Sequence, residues 1–402
     1  MDVIPPKEYS PFTPGQPAPV EFFVGRLPEI ERLKGLVAHA ATGRLKVVFV
    51  AGERGIGKSS LASFVRYLSE RDHHVLGIHT YLGGASRVED LVSRVFDRMV
   101  KDSEGRGFLE KIKNHLGPRV QKVGLFGVSL EFKASDQELG SLGRNFSREL
   151  SSVLAKLENG TKGLLLILDD INGLAGSEPF AHWLKSLVDE IATSGRPFPV
   201  CLLLVGLEER RQSLIALQPS LARIFDVVDI APWSSKESGD FFESSFQKVG
   251  TKVDPAALNV LTTFSGGLPV LAHEIGDAVF KRDVDRNIDE SEAILGVNDA
   301  ADVVGRKFLQ PQIMDEIRSQ RYRAILRKMA KGPFEPGFRR SDLQERLEDA
   351  ERRVLDNFLR RMKELGVVRM NPEGGRGAYH FTTVLHYLFF RMEARRAESR
   401  AE

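Results

Sequence analysis

Between positions 52 and 59 the chain reads Gly52-Glu53-Arg54-Gly55-Ile56-Gly57-Lys58-Ser59, which fits the pattern G-x-x-x-x-G-K-[ST] without a mismatch. Glycines at this spacing let a loop bend until its backbone N–H groups converge, and converging donors are what phosphate oxygens require. Lys58 supplies a point charge for the β- and γ-phosphates, and the Ser59 hydroxyl is a ligand for Mg²⁺. All eight residues, with Ser60 beside them, are therefore assigned to nucleotide binding. A second group, Asp169 and Asp170, ends the apolar run Leu164-Leu165-Leu166-Ile167-Leu168. A strand that ends in carboxylates delivers Asp169 as a Mg²⁺ ligand and Asp170 as a group to orient or deprotonate an attacking water. Taken alone, the same pair also suits a turn or a helix cap.

These side chains need a scaffold, and the flanking pattern predicts one. Val47-Val48-Phe49-Val50-Ala51 is an apolar run of strand length before the loop, and SSLASFVRYLSER after it has helical periodicity. Further strands are predicted at 74–81, 163–168, 200–205 and 227–230. Apolar strands alternating with helices imply a parallel sheet covered on both faces, with ligands at the carboxyl ends of the strands. Residues 117–133 break this rhythm with a two-residue alternation that predicts a β-hairpin insertion. From Ser234 to about position 309 the chain reads as helical, broken at Ser265-Gly266-Gly267-Leu268-Pro269. Three helices follow at 321–331, 341–348 (N-cap Ser341) and 351–365 (ended by Gly366). A strand at 367–370, a glycine-rich tip at 372–377 and a strand at 379–381 complete the pattern of a winged helix-turn-helix.

The chain has 402 residues, 42% hydrophobic and 28% charged, values that exclude a disordered or collagenous protein. No apolar run approaches the roughly 20 residues of a bilayer-spanning helix. The proline-rich start MDVIPPKEYSPFTPGQPAP lacks the features of a signal peptide, so a cytoplasmic location with no membrane partner is expected. The single cysteine, Cys201, excludes an intrachain disulfide and reads as a core filler. The net charge of +2 conceals an asymmetry: residues 318–402 hold 20 Lys/Arg and 12 Asp/Glu, a balance of +8, on a body that carries −6. Such an end is either an anion-binding surface or a solvated helical face.

At these residues the chain resembles the AAA+ and STAND classes of P-loop ATPases, from about Phe22 to the winged helix. Phe23-Val24-Gly25-Arg26-Leu27-Pro28-Glu29 looks like the F-V-G-R-E-x-E motif of these families, which lies beside the adenine and brings in Gly25 and Arg26. The Gly267-Leu268-Pro269 segment is similar to the G-L-P motif of STAND proteins, whose proline touches the nucleotide from a helical lid; the resemblance assigns that role to Pro269. Its surroundings lack the sensor arginine of AAA+ initiators, which favours a STAND-like or archaeal-ATPase-like branch. The segment 219–225 resembles the one that supplies an arginine finger in AAA+ rings. That reading makes Arg223 a catalytic residue acting on a neighbouring subunit, whereas a local reading has it cap a helix or pair with Asp226. Asp170 stands where many AAA+ proteins have glutamate, which implies slow hydrolysis. The fourth strand ends without a polar side chain to sense phosphate, leaving Glu208 or a backbone group.

The winged helix is similar to those of origin-recognition initiators and archaeal STAND ATPases. Its third helix carries Arg352, Arg353, Arg360, Arg361 and Lys363, and its tip Arg376, residue types that neutralise DNA phosphates. Arg119, Lys122 and Lys133 of the hairpin offer either a second DNA contact or a lid or subunit contact. The resemblance thus implies an α/β fold, a P-loop NTPase parallel sheet with a helical lid and a C-terminal winged helix-turn-helix. The expected divisions are a flexible arm at 1–20, the ATPase domain at 21–231, the lid at 232–310 and the winged helix at 311–402. The expected function is a slowly hydrolysing switch that binds ATP and Mg²⁺ and controls homo-oligomerisation and double-stranded DNA binding. The alternative is a STAND-type signalling ATPase, for example in antiphage defence, whose winged helix packs against protein.

Overall fold

The computed structural model describes residues 9–16, 23–104, 109–123, 129–156, 160–307, 319–330, 337–371 and 374–399. The chain divides into two compact units, 17–231 and 232–402, the latter joined by residues 1–16.

In the first unit the elements run α1 (Leu27–Ala40), β1 (Lys46–Ala51), α2 (Lys58–His73), β2 (Val75–Tyr81), α3 (Val88–Glu104), α4 (Leu109–Leu116), β3 (Val120–Val123), β4 (Ser129–Phe132), α5 (Asp136–Arg144), α6 (Phe146–Lys156), β5 (Gly163–Asp169), α7 (Glu178–Thr193), β6 (Val200–Gly206), α8 (Glu208–Leu217) and β7 (Phe225–Asp229). The five long strands form one parallel sheet in the order β2-β5-β6-β1-β7. Every residue of β5 and β6 is buried, as a central parallel strand covered on both faces demands. Alternation sorts their side chains: Leu164, Leu166 and Leu168 join a core with Val92, Phe96, Phe146 and Leu184 from α3, α6 and α7. The other face packs against α1 and α2. Cys201 is fully buried and desolvation pushes its thiol up to about 12, consistent with an inert core position. Strands β3 and β4 pair antiparallel as the predicted hairpin, and its tip at 124–128 lies outside the described residues.

The second unit contains α9 (Ser235–Lys248), β8 (Lys252–Val253), α10 (Pro255–Ser265), α11 (Pro269–Arg282), β9 (Asn287–Ile288), α12 (Glu290–Val304), α13 (Gln320–Ala330), β10 (Gly337–Arg339), α14 (Arg340–Glu345), α15 (Asp349–Arg352), α16 (Leu355–Glu364), β11 (Val368–Met370), β12 (Ala378–Phe381) and α17 (Val384–Ser399). Capping boxes at Ser234/Glu237 and Asp289/Glu292 start α9 and α12. An antiparallel sheet, β10-β12-β11, closes over a core of Leu355, Phe358, Met362, Phe381 and Phe389. The segments expected as separate lid and C-terminal domains cluster together here, because α17 packs on both α12 and α13.

Three expectations are corrected. Residues 9–16 are not a loose arm: Phe12 is 3% exposed, its ring lies 4.9 Å from that of Phe246, and the Thr13 N–H donates to His273 Nδ1 at 3.1 Å. One aromatic anchor outweighs the proline-rich composition around it. The third C-terminal helix is split: the Glu348/Glu351 capping box makes α15 a single turn, and Val354 (φ −111°, ψ 1°) interrupts the ladder before α16. Arg352 and Arg353 therefore do not share a helix with Arg360. Ser341 is not the N-cap of its helix, since β10 runs directly into α14 with Arg339 in the cap position.

Candidate functional site

The loop 52–57 joins the carboxyl end of β1 to the amino end of α2, the place where an open parallel sheet receives ligands. Gly57 caps α2 at φ 92°, a left-handed conformation that a side chain resists. A Cβ on Gly52 would sit 3.0 Å from Ile56 Cγ2 and 3.1 Å from the Ile230 carbonyl oxygen, so the cradle closes only around glycine. Lys58 Nζ donates to the carbonyls of Gly52 and Glu53 at 2.8 and 2.7 Å, holding the loop folded across the helix N-terminus. Burial lowers the ammonium below its usual value, against the opposing pull of the Asp169 and Asp170 charges. Ser59 and Ser60 follow in the first turn of α2, whose dipole also favours anions.

Register places the acidic pair at the same level. Asp169 aligns with Val205 of β6, which aligns with Val50 of β1. Two strand spacings, about 10 Å, therefore separate the end of β5 from the strand that carries the loop. Asp169 is buried and its Oδ2 lies 2.9 Å from His79 Nε2 on β2, while His79 Nδ1 lies 3.2 Å from Ser63 Oγ on α2. Asp170 is exposed and left-handed, at φ 57°. Its Oδ1 accepts a bond from Asn172 Nδ2, and Asn172 Oδ1 accepts the Leu207 N–H at 3.1 Å. A polar side chain thus does stand at the end of β6, contributed by Asn172 rather than by that strand. Glu208 turns onto its own helix, accepting from Arg211 at 2.8 Å. His79 and Asn172 escaped the sequence reading; the only signal was a polar residue amid the apolar runs of β2 and after β5.

The remaining assigned residues divide. Arg26 is 4% exposed; it donates to the carbonyls of Ile56, at 3.2 Å, and Ala231, and pairs with Glu29 at 3.6 Å. It ties Gly25 and the start of α1 to the phosphate loop, so its place is that of a brace. Glu53 and Arg54 are exposed on the loop, and Ile56 is buried beneath it. Arg223 lies before β7, whose first residue Phe225 pairs with Val47 at the amino end of β1. About five strand residues, roughly 17 Å, separate it from the loop of its own chain, which excludes a role there in cis. It lines a groove of about 530 Å³ with Arg44, Lys46, Arg196 and Asp226. Pro269 opens α11 in the second unit. Arg119 is engaged by Glu138 at 3.2 Å and Lys133 lies 3.7 Å from Glu131, while the Lys122 side chain falls outside what is described.

The donor set suits a nucleoside polyphosphate with a divalent cation: the backbone N–H groups of a glycine-rich loop, an ammonium, a helix N-terminus, a hydroxyl and a carboxylate that accepts only. Residues 23–204 match the AAA ATPase domain family. The protein is an ATPase, and its phosphate loop and acidic pair both fall inside the matched segment. The fold is similar to that of a Walker-type ATPase of Pyrococcus abyssi, at 18% identity and a TM-score of 0.55, over 92% of this chain and 97% of the other. The ORC2 protein of Aeropyrum pernix in its ADP form aligns at 18% identity and a TM-score of 0.49, over 92% and 93%. No curated protein matches the sequence. Among the described residues no helix is long and apolar enough to cross a membrane.

Proposed function

We propose that the protein is an ATP-controlled switch that assembles into homo-oligomers and binds double-stranded DNA through its basic C-terminal end. The observation that carries the nucleotide half is the Lys58 loop at the N-terminus of α2, level in the sheet with Asp169. Lys58, the loop N–H groups and Ser60 hold the phosphates; Ser59 and Asp169 hold Mg²⁺, which supplies charge neutralisation when bound. Asp170, fixed by Asn172, orients the water and takes its proton. Arg223, too far from its own loop, acts on a neighbouring subunit, where a guanidinium stabilises charge developing on the γ-phosphate.

For the DNA half, the connectivity α13-β10-α14-α15-α16-β11-β12 is read as a winged helix, with β11 and β12 as the wing. The +8 balance of residues 318–402 supports this reading. Arg353, Arg360 and Arg376 are exposed, on the turn before α16, on α16 and beside the wing tip. Arg352 contributes less, because it is bonded to the Gln344 carbonyl at 3.1 Å and lies 3.4 Å from Asp349. Titration of labelled duplex at several salt concentrations tests the assignment. Wild type should show a log–log slope of about −0.9 per phosphate neutralised, and the Arg353→Ala, Arg360→Ala, Arg376→Ala triple variant a slope flatter by about 2 to 3. Failure of the wild type to bind at low salt with ATP present would remove DNA and leave a protein-packing module.

A further inference from the structure

The Asp169 carboxylate is held by a buried histidine that lies outside the phosphate-loop motif. His79 and Asp169 are each 2% exposed, and His79 bridges Asp169 Oδ2 at 2.9 Å and Ser63 Oγ at 3.2 Å. The register explains the first bond. Tyr81 pairs with Asp169 across β2 and β5, so His79, two residues earlier, is its diagonal neighbour on the same face. The second bond follows from helix geometry, since Ser63 stands one turn beyond Ser59 on α2. Tyr81 stacks on the imidazole with centroids 4.5 Å apart and planes 21° apart, which limits rotation of the ring. An aspartate oxygen accepts, so Nε2 carries a proton and donates to it; in the neutral imidazole Nδ1 then accepts from the Ser63 hydroxyl.

We propose that His79 is a positioning residue for the divalent cation. It occupies Oδ2 of Asp169, leaves Oδ1 as the oxygen available to the metal, and through Ser63 ties that carboxylate to the helix that carries Ser59. The two protein ligands are thereby held in fixed relation before the cation arrives. This rests on the reading of Asp169 as a Mg²⁺ ligand. Partners of metal ligands commonly account for 10- to 100-fold in metal affinity, because an unrestrained carboxylate must be ordered each time the ion binds.

The test is calorimetric titration of ADP into wild type, His79→Leu, His79→Gln, Ser63→Ala and Asp169→Asn, each with Mg²⁺ and with EDTA, with thermal unfolding recorded alongside. The EDTA affinity reports the loop alone, and the ratio of the two affinities reports the cation. His79→Leu should lose about 10- to 100-fold of the Mg²⁺ enhancement with an unchanged EDTA affinity. His79→Gln, whose amide nitrogen reaches the position of Nε2, should keep most of it. An equal loss with and without Mg²⁺ in His79→Leu would assign the histidine to packing and overturn the proposal. Enhancement intact in His79→Leu but abolished in Asp169→Asn would overturn the role of His79 while the ligand stands. Enhancement intact in Asp169→Asn would overturn the ligand itself, and the proposal with it. Should His79→Leu fail to fold, Ser63→Ala decides: a several-fold loss of enhancement is expected, and none overturns the tie to α2.

Discussion

In the proposed mechanism Lys58 gathers phosphate and Asp170 acts on water. Lys58 already bonds the carbonyls of Gly52 and Glu53, so its ammonium is held at the loop without help from a distant side chain. Asp170 depends on Asn172 for its orientation, and Asn172 in turn depends on the Leu207 N–H. Asp170→Asn should therefore leave ADP affinity near that of wild type while hydrolysis in single-turnover assays falls by about 10²- to 10⁴-fold. Hydrolysis at the wild-type rate would take Asp170 out of the reaction. The residues of the phosphate loop were legible because their chemistry is encoded in adjacent positions. His79 and Asn172 were not, because each acquires its partner only when β2, β5 and β6 align.

Among the elements, the strands of the sheet were legible to within a residue or two, since a buried parallel strand is written as an unbroken apolar run. The second unit was less so. Strand β10 is three residues long and pairs with β12, some forty residues later, while α17 is defined by what it packs against. Segment 9–16 likewise gains its place from Phe12 and from His273 on α11. Burial holds His273 down to about 4, and burial aided by Arg369 does the same for His386 on α17. In the unfolded chain both titrate near 6.5, so between pH 6.5 and 4 the unfolded state binds more protons and stability falls as the pH is lowered. The full effect is about 3 kcal/mol per histidine. Melting followed from pH 7 to 4.5 should show a progressive fall that His273→Asn, whose amide oxygen can take the place of Nδ1 as acceptor for Thr13, reduces by about half. A melting temperature that stays level from pH 7 to 5 would contradict both assignments.

On the scale of the whole molecule, the site is incomplete if Arg223 works from the amino edge of the sheet. A mixture of Arg223→Ala and Lys58→Ala chains should then recover ATPase activity that neither has alone, because some interfaces pair an intact loop with an intact finger. No recovery at any ratio, in chains shown by mass measurement to co-assemble, would assign Arg223 a local role. In the proposed switch nucleotide binding is coupled to DNA binding, and a titration reads that coupling. Labelled duplex is bound to wild type and to Lys58→Ala at fixed salt and Mg²⁺, with and without a slowly hydrolysed ATP analogue. The analogue should tighten wild-type binding by tenfold or more, a coupling of about 1.4 kcal/mol, and leave Lys58→Ala unchanged. Wild-type affinity that is indifferent to the analogue would show that nucleotide does not control DNA binding and would overturn the switch.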